Sequence, residues 1–178
     1  MDFLTALWMP IVVSAAFVWI ASAITHMVIP FHKSDFGKLP DEDKVMTSLE
    51  GVPIGSYMFP YCTQSEMNSP EHKAKREKGP VGTLTVMPNF NMGQNLILTL
   101  FLYLLIGVFI AYAGFHSGLE GAPYLEKFRF AGTVAFCAHT FGWLSFAIWY
   151  RNIKVWSNLF DGIVYALITA GTFGWLWR

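Results

Sequence analysis

The chain has 178 residues, of which 54 % are hydrophobic and 13 % charged, with zero formal net charge and a mean hydropathy of +0.42. A soluble domain carries about 25 % charged residues, so this composition argues against a water-soluble globule. The balanced charge offers no basic surface for nucleic acid, and two cysteines, Cys62 and Cys137, are too few for a disulfide framework or a cysteine-rich zinc module.

Four runs, 3–31, 95–117, 130–150 and 155–177, are apolar over the length a bilayer demands. The hydrocarbon core is ~30 Å thick and needs ~20 mostly apolar residues per helix. The expected fold is therefore an all-α membrane protein in one domain. It is a four-helix transmembrane bundle with a long cytoplasmic loop, 32–94, between the first and second helices.

In the first run, Ala21-Ser22-Ala23 has the look of a signal-peptidase site. Only Asp2 precedes the apolar residues, though, and the run outlasts the h-region of a leader, so it is read as a membrane helix. Pro10, near the outer end, either removes a backbone donor and kinks the helix or, the favoured reading, lies within the first helical turn, where its missing N–H costs little. His26 is expected about one turn inside the loop-side end.

The loop is too long for a simple connection. Leu39-Pro40-Asp41-Glu42 opens a short helix with acids where the helix dipole favours them. Ser69-Pro70-Glu71 opens another, with Ser69 as N-cap and Pro70 at the first helical position, ending at Gly79-Pro80. Its basic residues suit anionic headgroups or solvent equally. Two β-prone runs, 57–61 and 82–87, flank it and are candidates to pair.

The second membrane run is bulky on all sides (Leu98, Leu102, Leu105, Ile106, Phe109), as suits lipid or a larger partner. The third and fourth carry small residues at helical spacing. Ala131, Ala135, Ala138, Gly142 and Ser145 form a heptad-like seam, and Gly162, Ala166, Ala170 and Gly174 recur every fourth residue. Helix association in lipid depends on close packing, which small residues permit. The short connection 151–154 makes these helices antiparallel neighbours, so the two seams are expected to meet.

Lys and Arg concentrate in cytoplasmic connections. Lys33, Lys38, Lys44, Lys73, Lys75, Arg76, Lys78, Arg151 and Lys154 fall on one side, against Lys127, Arg129 and Arg178 on the other. Both termini should then face outward. Tryptophans at the run ends suit interfacial belts, but Trp19 and Trp143 lie deeper and need partners for their N–H groups.

Ionisable groups inside a span are functional suspects. His139 near the middle of the third run is a candidate ligand for a haem or chlorophyll-type pigment, or a neutral histidine bonded to a carbonyl or to Thr140. His26 and Asp161 fall at similar depth, ~6–9 Å from the inner boundary at ~1.5 Å rise per residue. With Asn158 they form a candidate polar cluster. The bland alternative sends Asp161 to Arg151 or Lys154. Among His26, His116 and His139 no two share a level, which disfavours a bis-histidine haem. No phosphate loop, nucleophile elbow or zincin motif occurs, so no catalytic residue or metal ligand set is read.

The run from His26 through Phe36, then Lys38 through Val45, Thr85-Val86-Met87-Pro88 and the ending Ala170-Gly171-Thr172-Phe173-Gly174-Trp175-Leu176-Trp177 resemble a family of small uncharacterised bacterial membrane proteins. The resemblance implies a bacterial inner-membrane location and supplies no activity. The expected role is an accessory or structural subunit of a larger respiratory or photosynthetic complex. Its partners would be lipids and other membrane subunits or a second copy. Two alternatives stand beside it, a haem- or pigment-binding redox protein using His139 and a small transporter or proton-handling protein using His26 and Asp161.

Overall fold

The computed structural model describes residues 2–33, 35–89, 91–150 and 155–177. Four helices are long and apolar enough to cross a membrane: α1 (Asp2–Ala23), α4 (Met92–His116), α5 (Tyr124–Tyr150) and α6 (Val155–Leu176). Between α1 and α4 come α2 (Glu42–Ser48), strand β1 (Gly55–Phe59), α3 (Pro70–Lys78) and strand β2 (Gly82–Val86). The chain divides into two compact units, Met1–Phe36 with Met92–Arg178, and Gly37–Asn91.

The first apolar run ends earlier than expected. After Ala23 the helix widens into one π turn, Ile24–Val28, closed by a bond from the Ile29 N–H to the Ile24 carbonyl at 2.9 Å. Ile29 is then extended, with φ −84° and ψ 130°, because the ring of Pro30 disfavours helical geometry in the residue before it. A short 3-10 turn, Pro30–His32, follows. Pro10 does not take the favoured place in the first turn. It lies in the interior of α1, fully buried, and deletes one intrahelical hydrogen bond there.

Packing in the membrane unit runs α1 against α4 and α6, and α5 against α6, with a smaller contact between α4 and α5. Leu7, Ile11, Ile110, Ala131, Ala135 and Phe173 make its buried centre. The bulk on α4 is not spread evenly, as the sequence suggested. Tyr103, Gly107, Ile110, Ala111 and Gly114 form one buried stripe, and a methyl at Gly114 would lie 2.5 Å from the Trp177 ring. Gly107 likewise lies close against the Ile11 backbone. Trp19 donates its indole N–H to the Leu96 carbonyl at 3.0 Å. Trp143, expected to need such a partner, is instead half exposed.

The small-residue seam between α5 and α6 is real but shifted on α5. Ala166 and Ala170 are buried, Gly162 lies against Thr140, and Gly174 lies against the Tyr124 ring. A methyl on Gly132 would meet the Ala170 Cβ at 3.0 Å. On the α5 side Ala131, Ala135 and Thr140 are buried. Ala138 and Gly142 are exposed, and a Cβ on Gly142 would meet nothing within 4 Å. The heptad-like spacing followed the apolar small residues and overlooked Thr140, which holds the interface where Gly142 was expected to.

α5 also starts at Tyr124 rather than at 130, so Lys127 belongs to its first turns. There it is buried and donates to the Trp177 carbonyl at 2.8 Å, a cation at the C-terminal end of α6.

In the second unit, β1 and β2 pair antiparallel from Gly55↔Val86 to Phe59↔Gly82. The Ser69 hydroxyl accepts the His72 N–H at 3.1 Å, and α3 ends at Gly79 with φ 60°. The expected short helix at Asp41 is α2, its acids Glu42 and Asp43 in the first turn. The loop is thus a structured unit in its own right.

Candidate functional site

Four ionisable side chains converge where the loop-side end of α1 meets the first turns of α6. Asp161 is carried by α6 and its side chain is 7 % exposed. His26 comes from the π turn, and its Nε2 lies 3.6 Å from the Asp161 Oδ2. His32 comes from the 3-10 turn, and its Nε2 lies 3.0 Å from that same oxygen. Asp35 completes the set, its Oδ2 at 2.6 Å from the His32 Nδ1.

The backbone break at Ile29-Pro30 creates this arrangement. A straight helix would carry His32 onward, away from His26. Here the chain folds back and the two imidazoles stack, with centroids 4.0 Å apart and planes within 9°.

The outer nitrogens fix the tautomers. The His32 Nδ1–H donates to Asp35, because a carboxylate is acceptor-only when ionised. The His26 Nδ1–H donates to the Ser22 carbonyl at 2.9 Å. Both Nε2 atoms therefore turn toward Asp161. Ser157 donates its hydroxyl to Asp35 at 3.3 Å. Oδ1 of Asp161 and the hydroxyl oxygen of Thr140 are buried without a hydrogen-bond partner among the described residues. π turns recur at functional sites because they re-aim side chains that a regular helix would space evenly.

A cavity of ≈ 550 Å³ opens from this cluster into the space between α4, α5 and α6. Its walls are aromatic and apolar, with Tyr103, Trp143, Phe146 and Tyr165 prominent, and His26, Asn158 and Asp161 lie at its polar end. His139 stands in the wall, packed edge-on by Tyr103 at 5.6 Å and Tyr165 at 5.4 Å. It makes no hydrogen bond to Thr140, whose hydroxyl turns to Gly162 instead. Ala138 and Gly142 line the same cavity.

The structure thus brings His26 and Asp161 together and places Asn158 beside them on the cavity. His139 shares that cavity without touching the cluster. Arg151 and Lys154, the alternative partners for Asp161, lie outside the described residues. His116 is far along α4 and packs on Tyr112 at 4.6 Å. Two histidines do meet at one level, but they are His26 and His32, a pairing the depth argument did not include. Sequence reasoning missed His32, Asp35 and Ser157. The available signal was Ile29-Pro30, which ends the helix ahead of His32.

A second, smaller pairing lies in the loop unit, where the Cys62 Sγ is 3.3 Å from the Nε2 of buried His72.

Comparison with protein-family models, with curated proteins and with solved structures finds no match for this chain.

Proposed function

We propose that this chain is a multi-pass protein of the bacterial inner membrane that holds a lipid-soluble, ring-bearing small molecule in the cavity between α4, α5 and α6. In this reading the four apolar helices span the bilayer as a bundle, both termini face outward, and the 32–94 segment is cytoplasmic. The cationic residues around 33–78 support that orientation.

One observation carries the ligand reading: a cavity of ≈ 550 Å³ that is aromatic along its walls and polar at one end. Small-molecule sites fall within about 300–1,000 Å³ and combine apolar walls with a few placed polar groups. Tyr103, Trp143, Phe146 and Tyr165 offer ring faces and edges. His139 supplies an imidazole in the wall, suited to a hydrogen bond or to axial ligation of a haem or chlorophyll-type pigment. Leu102, Trp143 and Phe146 are about half exposed, which suits a mouth open toward lipid between α4 and α5.

Gly142→Leu tests this directly. A Cβ there meets nothing, so the helix tolerates the larger side chain while the cavity fills. Protein in lipid nanodiscs should carry a co-purifying amphiphile, seen by absorption or by mass spectrometry of the extract, and Gly142→Leu should retain at least ~10-fold less. An equal complement in both proteins defeats the reading.

An accessory role in a larger membrane complex is the second proposal. It draws on the outward face of α4, where Leu98, Phe101, Leu105, Phe109 and Tyr112 are each more than half exposed. Native electrophoresis after mild solubilisation tests it, and a lone band at the monomer mass counts against it.

A further inference from the structure

We infer that His26, His32 and Asp161 bind one divalent transition-metal ion, with Asp35 and the Ser22 carbonyl orienting the two imidazoles. This goes beyond the ligand cavity and does not depend on it.

The donor set is two imidazole nitrogens and one carboxylate oxygen, all within 4.8 Å of one another. Such a set suits zinc and the neighbouring first-row ions, which bind nitrogen and oxygen at ~2.0–2.2 Å. Two ligands at that distance from one ion stand ~3–3.6 Å apart. The Asp161 Oδ2 stands 3.0 Å from one Nε2 and 3.6 Å from the other. His26, with half its side chain exposed, has the freedom to re-aim its ring from the stacked position.

The outer contacts point the same way. Metal-ligating histidines present one nitrogen to the ion and donate the other N–H to a carboxylate or a backbone carbonyl. His32 donates to Asp35 and His26 to the Ser22 carbonyl. Both leave Nε2 lone pairs facing a carboxylate oxygen. Three electron-rich atoms at such spacing repel unless a proton or a metal cation lies among them.

Charge balance separates a metal from a shared proton. Asp35 and Asp161 are 17 % and 7 % exposed, and among the described residues no lysine or arginine pairs with either. One proton on His32 offsets a single negative charge. A divalent ion offsets both and also uses His26. The buried, unpartnered Oδ1 of Asp161 is the atom a second coordination bond would satisfy. Three protein ligands leave coordination positions open, as in catalytic rather than structural sites. His26 and Asp161 both line the cavity, so the open positions face it.

The test uses full-length protein in nanodiscs, stripped with chelator and titrated with Co²⁺, with Zn²⁺ as competitor. Visible d–d absorption should saturate at one equivalent and be quenched by Zn²⁺. Asp161→Asn and His32→Ala should each weaken binding at least 100-fold, and Asp35→Asn by 10–100-fold. His139→Ala and Cys62→Ala should change it less than threefold. Asp161→Asn is nearly isosteric, and its circular dichroism melt reports separately whether the helices stay packed. Saturable binding that survives in a folded Asp161→Asn protein overturns the inference, as does the absence of a d–d spectrum in wild type. Loss of binding with Cys62→Ala would move the ion to the loop unit and equally overturn it. Gly142→Leu, which fills the cavity, should still bind Co²⁺, so failure of the ligand reading leaves this result standing.

Discussion

The hydroxyl of Thr140 on α5 occupies the space that a Cβ at Gly162 on α6 would need. Glycine here is a matter of close approach rather than backbone conformation. Both residues are buried, and the antiparallel helices meet through this contact. Gly162→Ala forces the hydroxyl aside in a packed interface, which costs about 1–3 kcal/mol. Thermal unfolding in detergent should show the loss. Thr140→Ala should return much of it in the double variant, since contacting residues couple. Gly142→Ala, with open space around it, should melt like wild type. Equal melts for Gly162→Ala and Gly142→Ala would rule the contact out.

Lys127 gives the second expectation. Its ammonium donates to the Trp177 carbonyl at 2.8 Å and lies 5.7 Å from that indole's centre. Lys127→Met keeps the length of the side chain and removes the donor, leaving a carbonyl at the end of α6 without its bond. The expected loss is about 1–3 kcal/mol. Trp177 fluorescence is crowded by the chain's other tryptophans, so the clean readout is amide exchange at the end of α6. Exchange there should quicken while that at the start of α6 does not.

These contacts show what the sequence alone could and could not convey. Hydropathy located all four long helices because the bilayer sets one simple length rule. Ser69, Pro70 and Gly79 marked α3 because capping is local chemistry. The pairing of β1 with β2 was visible for the same reason. His26 with Asp161 emerged from depth alone, as a uniform rise brings residues of neighbouring helices to one level. His32 and Asp35 stayed hidden because their place depends on a π turn and an extended Ile29, which no periodic count contains. Ala138 and Gly142 were misassigned because small size marks a packing face and a cavity wall alike.

The loop unit carries a pH expectation. Glu66 accepts the Thr63 N–H at 2.9 Å and the Thr63 hydroxyl at 2.7 Å, and the backbone bond above all holds its carboxyl below the usual glutamate range. Glu71 is held low chiefly by its bond from Lys75 at 2.8 Å. A carboxylate with a lowered folded-state pKa stabilises the fold above its unfolded value of about 4.3. That contribution fades as pH falls through the folded value. Carbon-detected NMR titration should therefore show both carboxyls protonating below the usual glutamate range. Thr63→Ala removes only the hydroxyl bond, so it should move Glu66 part of the way back up and leave Glu71 in place. Titration of Glu66 at the same pH in both proteins would contradict this.

Orientation is the last expectation, and Cys62 is its natural reporter. It lies in the loop unit and is partly exposed, whereas Cys137 lies within α5. With Cys137→Ser in place, the single remaining thiol reads out the side on which residues 37–91 lie. The lysines and arginine between 33 and 78 are the basis for proposing that this unit is cytoplasmic. A membrane-impermeant maleimide should then label Cys62 in inverted vesicles and spare it in intact spheroplasts. Labelling after detergent lysis, which should be complete in both preparations, controls for any shielding of the sulfur by the His72 imidazole beside it. Labelling confined to spheroplasts would reverse the proposed orientation.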